Sequence, residues 1–238
     1  MSRLPLLKRA LDALSIQYDE RTIETFNSYR SFILEWNEKV NLTAIKDPEE
    51  FEVKHFMDSI SICEEDPFIK ADSIIDVGTG AGFPGIPLAI LFPGKNFVLI
   101  DSLNKKIRIL EEAADKLGLH NVRFCHGRAE DLGHQKEHRE VYDLCVSRAV
   151  AELSILSEYC LPFVKPGGYF APYKTGQTKD EVNQAEQAMR ALGGTFERTA
   201  AFHLPGWSPD HTIFWIKKEK KTPSKYPRKA GTPSKNPL

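Results

Sequence analysis

One stretch, Ser73 to Gly85, limits what this chain can become more than any other. It reads Ser-Ile-Ile-Asp-Val-Gly-Thr-Gly-Ala-Gly-Phe-Pro-Gly, an apolar run followed by glycines at 78, 80, 82 and 85. That is a strand entering a glycine-rich turn, where backbone comes close to a ligand. A dinucleotide turn would read Gly-x-Gly-x-x-Gly, but its third glycine position is Phe83 here. An acid, Asp76, two residues before the first glycine, with glycines at every second position, fits S-adenosylmethionine (SAM) better than NAD. SAM has no pyrophosphate to cradle; it presents an amino acid, a ribose and an adenine. The bland alternative is a tight turn with no ligand.

The flanking pattern supports a ligand-binding sheet. Leu4, Leu7, Leu11 and Leu14 form one helical stripe, and Ile23, Phe26, Ile33 and Val40 a second, interrupted by Arg30. Asp47, Pro48 and Glu50 read as N-cap, first-turn proline and capping-box acid. They predict a third helix carrying Phe51, His55, Asp58 and Ile62. Residues 1–66 therefore read as a small helical N-terminal region. From Ser73 strands and helices alternate. Strands are predicted at 73–77, 96–101, 122–126, 142–147 and 168–173. The helices between them are expected near 85–92, from Ile107 to a C-cap at Gly118, near 150–161 and at 178–192. Two last strands, 196–202 and 211–217, flank a loop with Pro205, Gly206 and Pro209. This predicts an α/β fold over 67–217, a Rossmann-like doubly wound sheet with one antiparallel strand, of the class I SAM-dependent methyltransferase type.

Composition bounds the partners. At 41% hydrophobic and 27% charged, the 238 residues suit a soluble protein. The longest clear apolar run, Ile86 to Phe92, is far short of a membrane span, and the N-terminus lacks a signal core. Cys63, Cys125, Cys145 and Cys160 show no paired spacing, which suggests free thiols in a reducing cytoplasm. Net charge is −1, yet Lys217–Leu238 holds eight Lys/Arg and one Glu. An acidic body with a basic end, rich in proline, reads as a flexible tail (218–238) drawn to a polyanion. If six phosphates were neutralised, binding would fall with a log–log salt slope of about −4 to −5.

Ligands of such sheets sit beyond the carboxyl ends of the strands. That rule selects Gly78, Gly80 and Phe83 after the first strand. Asp101, ending the second, can accept ribose hydroxyls. Glu130 and Asp131, in the turn after the third, compete for an adenine amino group beside Ala129. Ser147-Arg148-Ala149 ends the fourth, where many methyltransferases place their reaction-specific group. No Asn/Asp-Pro-Pro-aromatic motif and no Pro-Cys pair stands there, and Arg148 stays protonated. Such a site suits guanine N7, whose lone pair is already free, so orientation matters more than proton removal. His134 and His138 could share a helix face but lack a third ligand, so no metal is expected. His203 and His211 flank the last loop.

The ordered set of these segments resembles the RsmG (GidB) family of 16S ribosomal RNA guanine-N7 methyltransferases. It comprises Trp36-Asn37 with Asn41-Leu42-Thr43, and His55 with Asp58-Ser59. It continues with the Asp76–Gly85 turn and Asp101-Ser102-Leu103 with Lys105-Lys106. Ser147-Arg148-Ala149 and Lys174 with Gly176 complete it. The likeness spans about Tyr29 to His211. It implies SAM contacts at Gly78, Phe83, Ala129, Glu130 and Arg148, with Asp101 near the ribose. It implies transfer to N7 of one guanine in the decoding-region loop of 16S rRNA, on free RNA or on the small subunit. Two departures stand out: Phe83 where other members carry Leu, and Pro172-Tyr173 where relatives often have Ala-Leu. Arg148, Arg123 and Lys174 are the expected positioning residues for phosphate or guanine O6. A monomer is the expected state. The rival readings are SAM-dependent transfer to another RNA, a protein or a small molecule; a degenerate binding module; and an NAD-dependent reductase.

Overall fold

A computed structural model describes residues 4–148, 151–175, 179–202 and 211–238. The chain begins with α1 (Pro5–Ala13) and α2 (Glu20–Asn37), the latter opened by a reciprocal cap between Asp19 and Thr22. Arg30, which breaks the apolar stripe of α2, is buried with Glu52, whose carboxylate accepts the Leu6 and Leu7 amides at 3.0 and 3.1 Å. The stripe is interrupted because an acid from elsewhere caps α1. Next come α3 (Pro48–Phe51), a π-helical stretch Glu52–Met57 and α4 (Asp58–Ile60) as one winding, then α5 (Asp66–Lys70). Asp47 caps α3 through the Glu49 and Glu50 amides as expected. Glu50 itself pairs with Lys54 instead of completing a capping box.

The remainder is β1 (Ser73–Val77), α6 (Gly85–Leu91), β2 (Asn96–Asp101), α7 (Asn104–Leu117), β3 (Val122–His126), α8 (Ala129–Leu132), β4 (Tyr142–Ser147) and α9 (Leu153–Cys160). Then follow β5 (Val164–Thr175), α10 (Lys179–Ala191), β6 (Gly194–Ala201), β7 (His211–Lys218) and α11 (Thr232–Lys235). The sheet order is β3-β2-β1-β4-β5-β7-β6, with β7 antiparallel to both neighbours. This is the doubly wound α/β sheet with one reversed strand. β5 starts earlier than predicted, because Val164 already pairs with Tyr142 and the Lys165–Gly167 turn is a bulge inside the strand. The predicted loop at Pro205, Gly206 and Pro209 lies outside the described residues.

Each face of the sheet has its own core. One unites the N-terminal helices with α6 and α7; the other packs α9 and α10 against β1, β4 and β7. Among the described residues no helix is long and apolar enough to cross a membrane. The segment after β7 corrects one expectation: instead of a free tail, it lies packed along α8 and α9. Thr222, Tyr226 and Pro233 are buried there, and Arg228 pairs with Glu158.

Candidate active site

Where the strand order reverses, between β1 and β4, a doubly wound sheet leaves a crevice at its carboxyl edge. A cleft of about 240 Å³ lies there. Gly78, Asp101, Ala129 and Glu130 line it, together with Ser147 and Tyr159. The turn that forms it is tightly held. Asp76 is fully buried and accepts the Thr79 hydroxyl at 2.7 Å and the Gly85 amide at 3.0 Å. Burial pushes its carboxyl up to about 6. Gly82 has φ +85°, and a side chain there would collide with the Tyr29 hydroxyl, which donates to the Ala81 carbonyl. Asp101 is held by backbone: Gly80 N–H donates to Oδ2 at 3.0 Å and Leu103 N–H to Oδ1 at 2.9 Å. Each oxygen keeps a lone pair for a ligand.

Of the two acids in the turn after β3, Glu130 is 6% exposed and lines the cleft, while Asp131 is exposed. Gly80 contributes through its amide. Phe83 and Arg148 are not in this lining. The Phe83 ring stacks on His55 at 4.3 Å and packs among Tyr29, Phe51 and Phe56. Ser147, which the strand pattern put at the end of β4, also lines the cleft and its hydroxyl donates to Val77 O at 2.8 Å, whereas sequence reasoning missed the α9 wall with Leu156 and Tyr159. The only available signal was the apolar periodicity of the helix.

Arg148 instead lines a second, smaller cleft of about 140 Å³ with Asp58, Lys174 and His211. Its guanidinium donates to the Lys54 carbonyl at 2.7 Å and to Asp58 Oδ2 at 2.9 Å. It also reaches His55 Nδ1 at 3.0 Å and lies 5.1 Å over the Phe83 ring. Burial, then the Arg148 charge, lowers the His55 imidazole to about 3, so it is neutral. With Nδ1 facing a guanidinium, the proton belongs on Nε2, donating to Thr43 Oγ1 at 2.7 Å. Thr43 sits in a turn fixed by Asn37, whose side chain accepts the Leu42 and Thr43 amides. Burial raises the Asp58 carboxyl, but the hydrogen bond to His211 at 3.0 Å and the Arg148 charge prevail and hold it low. Lys174 donates to Ala151 O at 3.0 Å and to Glu181 at 2.5 Å.

Other expected residues fall elsewhere. Arg123 is exposed on the edge strand β3 and lines neither cleft, so it is not gathered with Arg148 and Lys174. His134 and His138 do not share a helix face; they bond Pro227 O and the Tyr142 hydroxyl, both at 2.7 Å. No group of three metal-ligating side chains exists among the described residues. Ala149, Gly176 and His203 lie outside them.

The donor set of the first cleft suits SAM. It offers a carboxylate hydrogen-bonded to the glycine turn, a second carboxylate after the neighbouring strand β3, and apolar walls beside them. A family model described as rRNA small subunit methyltransferase G matches residues 22–208. A ribosomal RNA small subunit methyltransferase G from Alkaliphilus metalliredigens is 48% identical over 234 residues, covering 98% of both chains. A putative O-methyltransferase from Klebsiella pneumoniae has a similar fold, with TM-score 0.55 and 17% identity over 87% of this chain and 94% of that one. So does the S-adenosylmethionine-dependent methyltransferase SibL, with TM-score 0.54 and 15% identity over 91% and 74%.

Proposed function

The chain belongs to the rRNA small subunit methyltransferase G family, and from that premise we propose that it methylates N7 of one guanine in the decoding-region loop of 16S rRNA, using SAM. The observation that carries this reading is the pair of clefts at the end of β4. Ser147 lines the first and Arg148 the second, so adjacent residues of one strand end serve a cleft for the cofactor and a cleft for the acceptor. When bound, SAM supplies a methyl group on a sulfonium. Asp101 would take the ribose hydroxyls, Gly78 and Gly80 would present backbone to the amino acid end, and Ala129 and Glu130 would meet the adenine.

Among the described residues the acceptor side carries the cations Arg148 and Lys174, and its carboxylate Asp58 is engaged by Arg148 and His211. The Arg148 guanidinium offers donors and no acceptor. His55 is neutral, but both its nitrogens are engaged. Such a site orients a nucleophile whose lone pair is already available, as guanine N7 is, and attack along one line is the main requirement. Arg148 and Lys174 would hold a phosphate or guanine O6 through charge-assisted hydrogen bonds. An rRNA substrate places the work in the cytoplasm.

The test is mass spectrometry of nucleosides after incubation with SAM and unmodified small subunits, with deproteinised 16S rRNA in parallel. New N7-methylguanosine is expected, and the better of the two samples identifies the substrate state. Absence of any new methylated nucleoside, in protein shown to bind SAM, overturns the rRNA reading.

A further inference from the structure

The chain after β7 has an arrangement that its composition does not suggest. Thr222 N–H donates to Glu140 at 2.6 Å, and Arg139 gathers the carbonyls of Thr222, Pro223 and Tyr226 at 2.8, 3.3 and 2.9 Å. His134 bonds the Pro227 carbonyl at 2.7 Å. Arg228 grips Glu158 of α9 with Nε at 2.9 and 3.1 Å and a terminal nitrogen at 2.6 Å, while its own amide donates to the same carboxylate at 2.7 Å. Glu158 is 1% exposed, so a half-buried guanidinium makes a bidentate pair with a buried carboxylate. The last anchor is Gly231 N–H, which donates to Glu130 Oε1 at 2.8 Å.

These anchors converge on two elements, α8 with the turn after it and α9. Both wall the first cleft, through Glu130 and Tyr159. Gly231 fixes one oxygen of Glu130; the other accepts no hydrogen bond from the described residues. Gly231 has φ +81°, a left-handed conformation that a β-branched residue resists and asparagine tolerates. The amide is therefore aimed by a turn that only certain residues can make.

We propose that the C-terminal segment Thr222–Lys235 is a strap that positions Glu130 and so sets the selectivity of the cleft for a purine bearing a 6-amino group. This rests on the reading of that cleft as the SAM site. A carboxylate held by the strap accepts from an exocyclic amine. A 6-oxo purine would set its own oxygen against that carboxylate, and two acceptors facing each other repel. Gly231 and Arg228 act through Glu130 and are positioning residues.

The experiment uses the full chain and two probes, S-adenosylhomocysteine and S-inosylhomocysteine, with affinities read by calorimetry. The wild-type protein is expected to prefer the adenine probe by about tenfold or more, the discrimination one hydrogen bond confers. Gly231→Val should cut that preference several-fold, mostly by weakening the adenine probe, and Gly231→Asn should keep it. The double variant Arg228→Gln with Glu158→Gln loosens the strap while removing the buried charge along with its partner. It should lose the same preference, and it provides the test if Gly231→Val does not fold. Equal weakening of both probes, or an unchanged ratio in both variants, overturns the strap proposal and leaves the cofactor reading standing. No binding of either probe to the wild-type protein overturns both.

Discussion

The two clefts lie on either side of the end of β4 and are built by different rules. The first is made of backbone and of carboxylates held by backbone: Asp101 by Gly80 and Leu103, Asp76 by Gly85, Glu130 by Gly231. The second is made of side chains on side chains. A neutral chain runs from Thr43 through His55 to Arg148, and a charged one from Arg148 through Asp58 to His211. A small ligand of fixed shape can be met by rigid main chain. A base presented by a large folded RNA calls for long cationic side chains whose rotamers are locked from behind.

The largest expected effect breaks the backbone-held side. Asp101→Ala removes the proposed ribose acceptor and frees two loop amides at once. Affinity for SAM should fall about 1000-fold, roughly 4 kcal/mol, in isothermal titration. A loss below tenfold would mean that Asp101 only shapes the turn.

On the other side, Arg148→Ala strands a buried carboxylate. Asp58 is 3% exposed, so stability to urea should drop by about 3 kcal/mol. Asp58→Asn added to Arg148→Met should recover most of that stability without recovering turnover, while affinity for SAM stays within a few-fold of wild type. If turnover returned with stability, Arg148 would be a structural residue and the acceptor cleft would lose its positioning group.

The difference in construction also decides how legible each cleft is in sequence. The first was readable because its groups fall within a few residues of strand ends, and strand ends follow from apolar runs and glycines. Gly78, Asp101, Ala129 and Glu130 all fall in the lining that the strand pattern selected. The second gathers Thr43, His55, Asp58, Arg148, Lys174 and His211 from five separate parts of the chain. Nothing local links them, so Arg123 looked as good as Lys174. The C-terminal segment misled for another reason. Proline and lysine content describes how a segment behaves alone, and says nothing of buried acceptors such as Glu158 or of the Arg139 guanidinium waiting for its carbonyls.

Acid sharpens the contrast, because the two sides titrate in opposite senses. Asp76 sits at about 6 in the folded protein against 3.8 as a free side chain, so its contribution is complete below pH 3.8 and is lost as pH rises to 6. His55 sits at about 3 against 6.5, so its contribution is complete above pH 6.5 and is lost as pH falls toward 3. Between pH 4 and 6 the two slopes oppose. Asp76→Asn should leave a protein whose stability climbs over that window, and His55→Asn one whose stability declines, each by up to about 3 kcal/mol. Urea melts at half-unit steps would read both. Parallel slopes in the two variants would mean that other groups control the window.

The smallest effect separates the charge of the C-terminal segment from its packing. Lys225 and Lys229 are exposed and take no part in the hydrogen bonds to α8 and α9, whereas Arg228 between them is committed to Glu158. Replacing both lysines with glutamine keeps the strap's hydrogen bonds and removes outward charge, together with the Lys225 contact over the Tyr226 ring. If the segment also attracts RNA, the salt slope of 16S rRNA binding should flatten by about 0.7 for each single-strand phosphate that is no longer neutralised. The affinity ratio for the adenine and hypoxanthine probes should not move. A slope that stays fixed would assign the segment to the cofactor side alone, and its lysines to solubility. A probe ratio that shifts with the lysines would mean that surface charge, and not the Gly231 hydrogen bond, governs the adenine end.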